Sequence, residues 1–124
     1  MDALVNEAKI TLGGKDYPLM LSTRAVMEIS KKFGGLSNMG NLLSKDDNSE
    51  KQLESVIWLI TLLANQPILI HNHFNKNDQR ELLTEEDVLL LTTPGDLKEM
   101  NSAIKIAMER GSSRNIQSAS SKNI

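Results

Sequence analysis

The sequence predicts an α+β domain that is predominantly helical, with an N-terminal β-hairpin packed on a helical body. Near the N-terminus, two short apolar segments flank a glycine pair, which is the pattern of a hairpin. From residue 23 onward, apolar residues recur at helical spacing between capping residues and helix breakers. The 124 residues fit one compact domain. We predict that it spans residues 1–111.

The predicted hairpin occupies residues 8–21, with a four-residue turn at 13–16. Gly13 and Gly14 can adopt the positive φ angles that tight hairpin turns require. Pro18 has no N–H to donate, so the second strand is expected at a sheet edge or with that position facing solvent. Because an isolated hairpin is marginally stable in water, it must pack on the helices or pair with another chain.

The helical body is predicted over about residues 23–110. A short helical segment is expected around residues 39–43, followed by a polar loop. We expect each longer helix to begin at a side chain that can accept from a free N–H and to end at a breaker. The expected N-caps are Ser22 or Thr23, Asn48 or Ser49, Thr84, and Thr93 followed by Pro94; the expected ends are Gly34 with Gly35, Pro67 and Gly111.

Two of these signals carry further expectations. Thr84 is followed by three acidic residues, and Leu83 and Val88 are spaced for a hydrophobic staple around the cap. Pro67 is expected to break or kink its helix, so that residues 68–74 form a second helical piece.

The last thirteen residues differ from the rest of the chain. Residues 112–124 contain five serines and no acidic residue. Such a composition cannot bury enough apolar surface to fold. We therefore predict a disordered, weakly basic C-terminal tail.

Composition excludes several classes of function. The chain has no cysteine, which excludes a disulfide scaffold, a thiolate metal site and cysteine chemistry. Its formal net charge is -2, so bulk attraction to nucleic acid or to an anionic membrane is not expected. Only four residues are aromatic, so the core must be aliphatic, and no aromatic-basic stripe exists for single-stranded nucleic acid.

The region between Glu54 and Lys76 has no charged residue over 21 positions. A bilayer span of that length would be uniformly apolar, whereas this region is interrupted by polar residues at 65–66 and 71–73. It is predicted to be a buried core helix. The N-terminus has neither a basic nor an apolar signal region, so the expected location is the cytoplasm.

Candidate catalytic and metal sites are sparse. His71 and His73 are two residues apart, so on a helix they point in different directions and cannot chelate together. The acidic run at 85–87 has the composition of a helix first turn, and neither glycine pair matches a phosphate-binding loop. We therefore expect no enzyme activity, no metal and no cofactor.

Protein binding is the class that remains. Trp58, Ile68 and Ile70 lie in the uncharged region and are the candidate interface residues, for a partner or for a second copy. Five of the methionines, at positions 20, 27, 39, 100 and 108, are in or beside apolar faces, where they could fill the core or line an adaptable groove.

Several segments resemble one family. Residues 10–19 (ITLGGKDYPL) are followed by a helix that ends in KFGGL at 32–36, and later by LTEEDV at 83–88 and PGDL at 94–97. Together they resemble the tail assembly chaperones of tailed bacteriophages, a group related to a gene transfer agent tail family. The resemblance covers residues 7–111, and its motifs are structural rather than catalytic.

The resemblance implies a non-enzymatic function in phage tail assembly. A protein of this family binds the long, helical tape measure protein in the host cytoplasm and keeps it soluble. It recruits tail tube subunits and leaves before the tail is finished. The alternatives are a structural tail or connector subunit, and a cytoplasmic adaptor unrelated to phage.

Overall fold

The computed structural model describes residues 8–44 and 49–122, and for residues 113–122 it describes the backbone alone. In these residues a two-stranded hairpin precedes five α-helices, which confirms the predicted fold class. The elements are β1 (Lys9–Leu12), β2 (Lys15–Pro18), α1 (Thr23–Phe33), α2 (Leu36–Leu43), α3 (Glu50–Phe74), α4 (Glu85–Leu91) and α5 (Leu97–Lys122), with a 3₁₀ turn at Pro94–Asp96 before α5.

The hairpin turn is shorter than the predicted 13–16. β1 and β2 are antiparallel with Leu12 opposite Lys15, so the turn contains two residues. Gly13 and Gly14 have φ angles of 56° and 81°, which complete the chain reversal by themselves. The pairing places Pro18 opposite Lys9, where alternation along the ladder leaves its nitrogen facing away from β1. The predicted tolerance of proline at this position is confirmed.

α3 is the central element of the core. It contacts the other four helices and β2, while β1 packs against α5. Five of its apolar side chains are almost completely buried: Val56, Leu59, Ile60, Leu63 and Ala64. Burying one such aliphatic side chain stabilises the fold by roughly 1.5–3 kcal/mol, so this helix supplies much of the hydrophobic driving force.

The length and composition of α3 would also suit a membrane span. It has 25 residues, and its most apolar window has a mean hydropathy of 1.6. Half of that window, however, is buried inside the protein. The central aliphatic residues of α3 lie in the hydrophobic core of the fold, as predicted for this region.

Of the break or kink predicted at Pro67, the break does not occur, and residues 68–74 are not a separate helical piece. The helix is assigned continuously from Glu50 to Phe74. Proline cannot donate to the carbonyl four residues earlier, which here belongs to Leu63. That carbonyl accepts the backbone N–H of Met20 at 3.1 Å, just after β2. The oxygen that proline leaves unpaired therefore anchors the hairpin to the core helix.

Gly111 does not end α5, so the helix end predicted at this residue is wrong. The helix continues to Lys122, and Gly111 lies where α5 passes Leu21. A Cβ added to Gly111 would lie 2.6 Å from the Leu21 Cβ. The glycine permits close packing rather than a chain reversal. The predicted disordered tail, residues 112–124, falls almost entirely outside the side chains that the structure describes.

The other helix boundaries follow the predicted signals. The Ser22 hydroxyl accepts from the Ala25 N–H, and the Ser49 hydroxyl accepts from the Gln52 N–H. Gly34 ends α1 with a φ of 84°. Of the polar loop before α3, residues 45–48 lie outside the described part of the chain.

Candidate protein-binding surface

The segment from residue 78 to 83 runs along α3 without regular secondary structure, and side-chain amides hold it there. The Asn65 amide donates to the Leu83 carbonyl at 2.9 Å and accepts the Leu83 N–H at 2.8 Å. The Asn72 amide makes the same pair of bonds with Arg80, at 2.9 and 2.8 Å. Because Asn65 and Asn72 are seven residues apart, they lie on one face of α3. Each amide thus pairs with both the N–H and the C=O group of one residue in this segment, as a neighbouring β-strand would.

The two histidines take part in different contacts at the end of α3. The His71 Nε2 lies 2.8 Å from the Asp78 carbonyl oxygen and 3.1 Å from the Asp78 Oδ2. The His73 ring packs edge-on against Phe74, with centroids 4.8 Å apart. Within the described residues, no three His, Cys, Asp or Glu side chains come together as a metal site would require. His71 thus helps to fix the loop that leads into the Asn-bound segment.

α4 is fixed at its start and poorly covered along its length. The Thr84 hydroxyl accepts from the Asp87 N–H at 3.0 Å, and the Asp87 carboxylate accepts from the Thr84 N–H at 2.9 Å. Only Val88 of α4 is buried. Four leucines on α4 and just before it stay exposed, by fractions of 45%, 54%, 74% and 49% for Leu82, Leu89, Leu90 and Leu91 respectively. Leu89 and Leu90 are neighbours on the exposed side of α4, and we call these two residues the leucine surface.

The chain around the leucine surface is strongly acidic. From residue 81 to 97 there is no lysine, arginine or histidine; the acidic residues are Glu81, Glu85, Glu86, Asp87 and Asp96. One turn separates Glu85 and Glu86 from Leu89 and Leu90 along α4, so carboxylates and leucines share the exposed face. This surface combines exposed leucines with carboxylates, and the basic residues Arg24, Lys15 and Arg80 line the two adjoining clefts that also contain Leu82.

A groove of about 560 Å³ lies between the hairpin, α3 and α4, and extends to Leu91 at the end of α4. We call it the hairpin groove. Its lining combines apolar and charged side chains: Lys15 and Arg80 are basic, and Asp16, Glu81 and Asp87 are acidic. The apolar lining includes Tyr17, Pro18, Pro67, Ile68, Leu82 and Leu91.

The three predicted interface residues lie at different places on α3. Trp58 is half-buried, packs edge-on against Phe33 at 5.7 Å and has the Lys32 ammonium 5.1 Å from its ring centre. Ile68 lines the hairpin groove, and Ile70 is 42% exposed. Ile68 and Ile70 are two positions apart, or about 200° around a helix axis, so they do not form one surface.

The leucine surface was not among the predicted interface residues, although the sequence carries a signal for it. Leu89, Leu90 and Leu91 are consecutive in a helix of seven residues. Consecutive residues are spread by 100° steps around a helix, so one neighbouring element cannot cover all three. A run of three leucines in a short helix therefore indicates that at least one faces outward.

The methionines divide between core and surface. Met39 and Met100 are buried, Met108 is half-buried, and Met27 on α1 is 58% exposed. A second groove, of about 420 Å³, lies between α2 and α5 and is lined by Met39 and Met108 among other apolar residues. Its lining is mainly apolar and includes both a basic and an acidic residue, Lys105 and Glu109.

Comparison of the chain with protein-family models, with curated proteins and with solved structures finds no match.

Proposed function

We propose that this protein is a non-enzymatic tail assembly chaperone of a tailed bacteriophage. In this proposal it acts in the bacterial cytoplasm, binds the tape measure protein through an apolar surface and assists the assembly of tail tube subunits around it. The proposal combines the resemblance of the hairpin and helix-end motifs with the presence of an uncovered apolar surface.

The observation that carries the proposal is the leucine surface. Leucines exposed by about half or more, side by side on one short helix, are costly in water unless a partner covers them for part of the time. Covering the apolar face of a partner helix is what a chaperone of this kind must do. A helix of only seven residues offers modest contact area, which suits a protein that must later be released.

The experiment is affinity capture of the tagged protein from source cells during phage induction, with identification by mass spectrometry. The proposal expects one dominant partner, a very long helical protein encoded by the same phage. Purified phage particles from the same culture are analysed for this protein, which is expected to be absent from them.

The alternatives give different results in the same experiment. A structural tail or connector subunit would remain in purified particles at stoichiometric amounts. An adaptor unrelated to phage would capture host proteins in place of the tail protein. Either result would overturn the chaperone proposal.

A further inference from the structure

We propose that the leucine surface binds a basic amphipathic helix of the partner protein, with leucine-like side chains facing α4 and lysine or arginine side chains facing its carboxylates. The inference rests on the proposed function, because it specifies the chemistry of the segment that the chaperone recognises. It concerns the outer face of α4 and not the hairpin groove beside it.

The apolar half of the proposal follows from how α4 is packed. The side of the helix around Val88 is buried, whereas Leu89 and Leu90 face outward. Gly13 of the hairpin turn lies near Leu91, because a Cβ on this glycine would be 3.7 Å from the Leu91 methyl groups. Leu91 is thus supported from one side, and Leu89 and Leu90 form the free ridge. A ridge of this kind packs into the groove between side-chain rows of another helix.

The charge of the occupant follows from the carboxylates. Within the described residues, the Glu81, Glu85 and Glu86 carboxylates make no salt bridge with a lysine, arginine or histidine. Asp87 and Asp96 use carboxylate oxygens to accept from the Thr84 and Thr93 N–H groups, respectively. Arg24 lines a cleft with Glu85, and Lys15 and Arg80 line the hairpin groove with Glu81 and Asp87, but in the part of the chain that the structure describes none of these cations forms a salt bridge with those carboxylates. The unpaired carboxylates of Glu85 and Glu86 beside the leucines attract a segment rich in lysine or arginine and steer its approach.

The same charges argue against two other occupants. A second copy docked by a two-fold axis would place these carboxylates against their own images, and like charges at an interface are unfavourable. An anionic lipid surface would be repelled for the same reason.

An extended strand is disfavoured as the occupant for a different reason. It would need the edge of β2, which is four residues long and includes Pro18, a residue with no N–H to donate.

The test uses a fluorescently labelled 18-residue amphipathic peptide of leucine and lysine, with a leucine–glutamate peptide of the same pattern as the control. Anisotropy measured on the full chain is expected to show saturable binding of the lysine peptide. The glutamate peptide is expected to bind at least roughly tenfold more weakly, because a tenfold change corresponds to about 1.4 kcal/mol and several charge contacts reverse. Equal binding of the two peptides would overturn the proposal.

Matched variants locate the binding. Leu90→Ser is expected to weaken the lysine peptide by roughly tenfold, the effect of removing about one buried leucine contact. Met27→Ser is the control, because Met27 is an exposed apolar residue on a different helix, α1. Leu89→Ser serves as a second variant should Leu90→Ser unfold, with folding checked by circular dichroism. If Leu89→Ser or a folded Leu90→Ser variant binds as the Met27→Ser control does, the assignment is wrong.

Charge reversal tests the electrostatic half. The double variant Glu85→Lys and Glu86→Lys is expected to lose affinity for the lysine peptide and to gain affinity for the glutamate peptide. Retention of the original preference would overturn the proposal. Binding of the unmodified protein to vesicles of phosphatidylglycerol, abolished by Leu90→Ser, would overturn it in favour of a lipid surface.

The two proposals can fail separately. If the phage tail protein is captured equally by the unmodified protein and by Leu90→Ser, the chaperone function stands and the leucine surface is not its binding site. If the lysine peptide binds as expected while only host proteins are captured, the surface is correctly assigned and the chaperone function is wrong.

Discussion

α3 and α4 are both rich in aliphatic residues, yet they differ in how much of that apolar surface is covered. α3 buries ten of its residues, including its central aliphatic side chains, whereas α4 buries Val88 alone. The difference arises because α3 is contacted on several sides by the hairpin and the other helices, while α4 packs mainly on α3. Apolar composition therefore does not by itself identify a core helix, and uncovered apolar residues are where a partner is to be sought.

The largest expected effect on stability comes from replacing a leucine by alanine in α3 and comparing it with the same replacement in α4. Leu59 on α3 is completely buried, so Leu59→Ala is expected to lower the free energy of unfolding by about 2–5 kcal/mol. Leu90→Ala on α4 is expected to change it by no more than about 0.5 kcal/mol. Urea denaturation followed by circular dichroism measures both. Equal losses would show that Leu90 belongs to the core after all.

The next largest effect on stability comes from replacing two helical glycines by alanine, one of which is closely packed and one of which is not. Gly111→Ala would place its Cβ 2.6 Å from the Leu21 Cβ, which has little freedom to move, so we expect a loss of about 1–3 kcal/mol. Gly40→Ala on α2 meets no atom within 4 Å and is expected to gain about 0.5–1 kcal/mol from helix propensity. Opposite signs in thermal denaturation are the expected result. A stabilising Gly111→Ala would show that α5 does not pack tightly on Leu21.

A smaller effect tests how α4 is attached to α3. Asn65→Ala removes two hydrogen bonds to Leu83 and is expected to lower stability by about 1–2 kcal/mol. Asn38→Ala is the control, because it removes one exposed side-chain bond, to the Phe33 carbonyl. Amide hydrogen exchange should accelerate at Leu83 and along α4 in the first variant alone. Unchanged exchange there would mean that burial of Leu83 and Val88 suffices to hold α4.

The smallest effect concerns the tip of the hairpin. The Thr11 hydroxyl donates to Asp16 at 2.6 Å and Lys9 lies 3.2 Å away, and both lower the pKa of Asp16 below its ordinary value. A depressed folded pKa stabilises the protein above the unfolded pKa, and this contribution is lost as the pH falls through the folded value. Titration of the carboxyl carbon by NMR should show Thr11→Val raising this pKa. No change would show that Lys9 alone sets it.

Local signals in the sequence were reliable where the interaction is itself local. Ser22, Thr84 and Gly34 act as predicted because a cap or a helix end involves neighbours three or four residues away. Gly111 and Pro67 carry similar signals, yet neither ends its helix, and their roles depend on Leu21 and Met20, which are far away in the sequence. The leucine run of α4 could have been flagged from the sequence, but its acidic, uncovered face needed the packing of α4 to be known.

The sequence by itself determined the hairpin, the order of the helices and the aliphatic character of the core, because these follow from residue periodicity and backbone preference. The tertiary structure alone decided which apolar residues remain exposed. It also decided that the Leu63 carbonyl, which Pro67 leaves unpaired within the helix, accepts the Met20 N–H. The same holds for the hydrogen bonds from Asn65 and Asn72 to the irregular segment at residues 78–83. Such features depend on which distant groups meet, and hydrogen bonds and side-chain contacts form only between groups that the fold has already brought within a few ångströms.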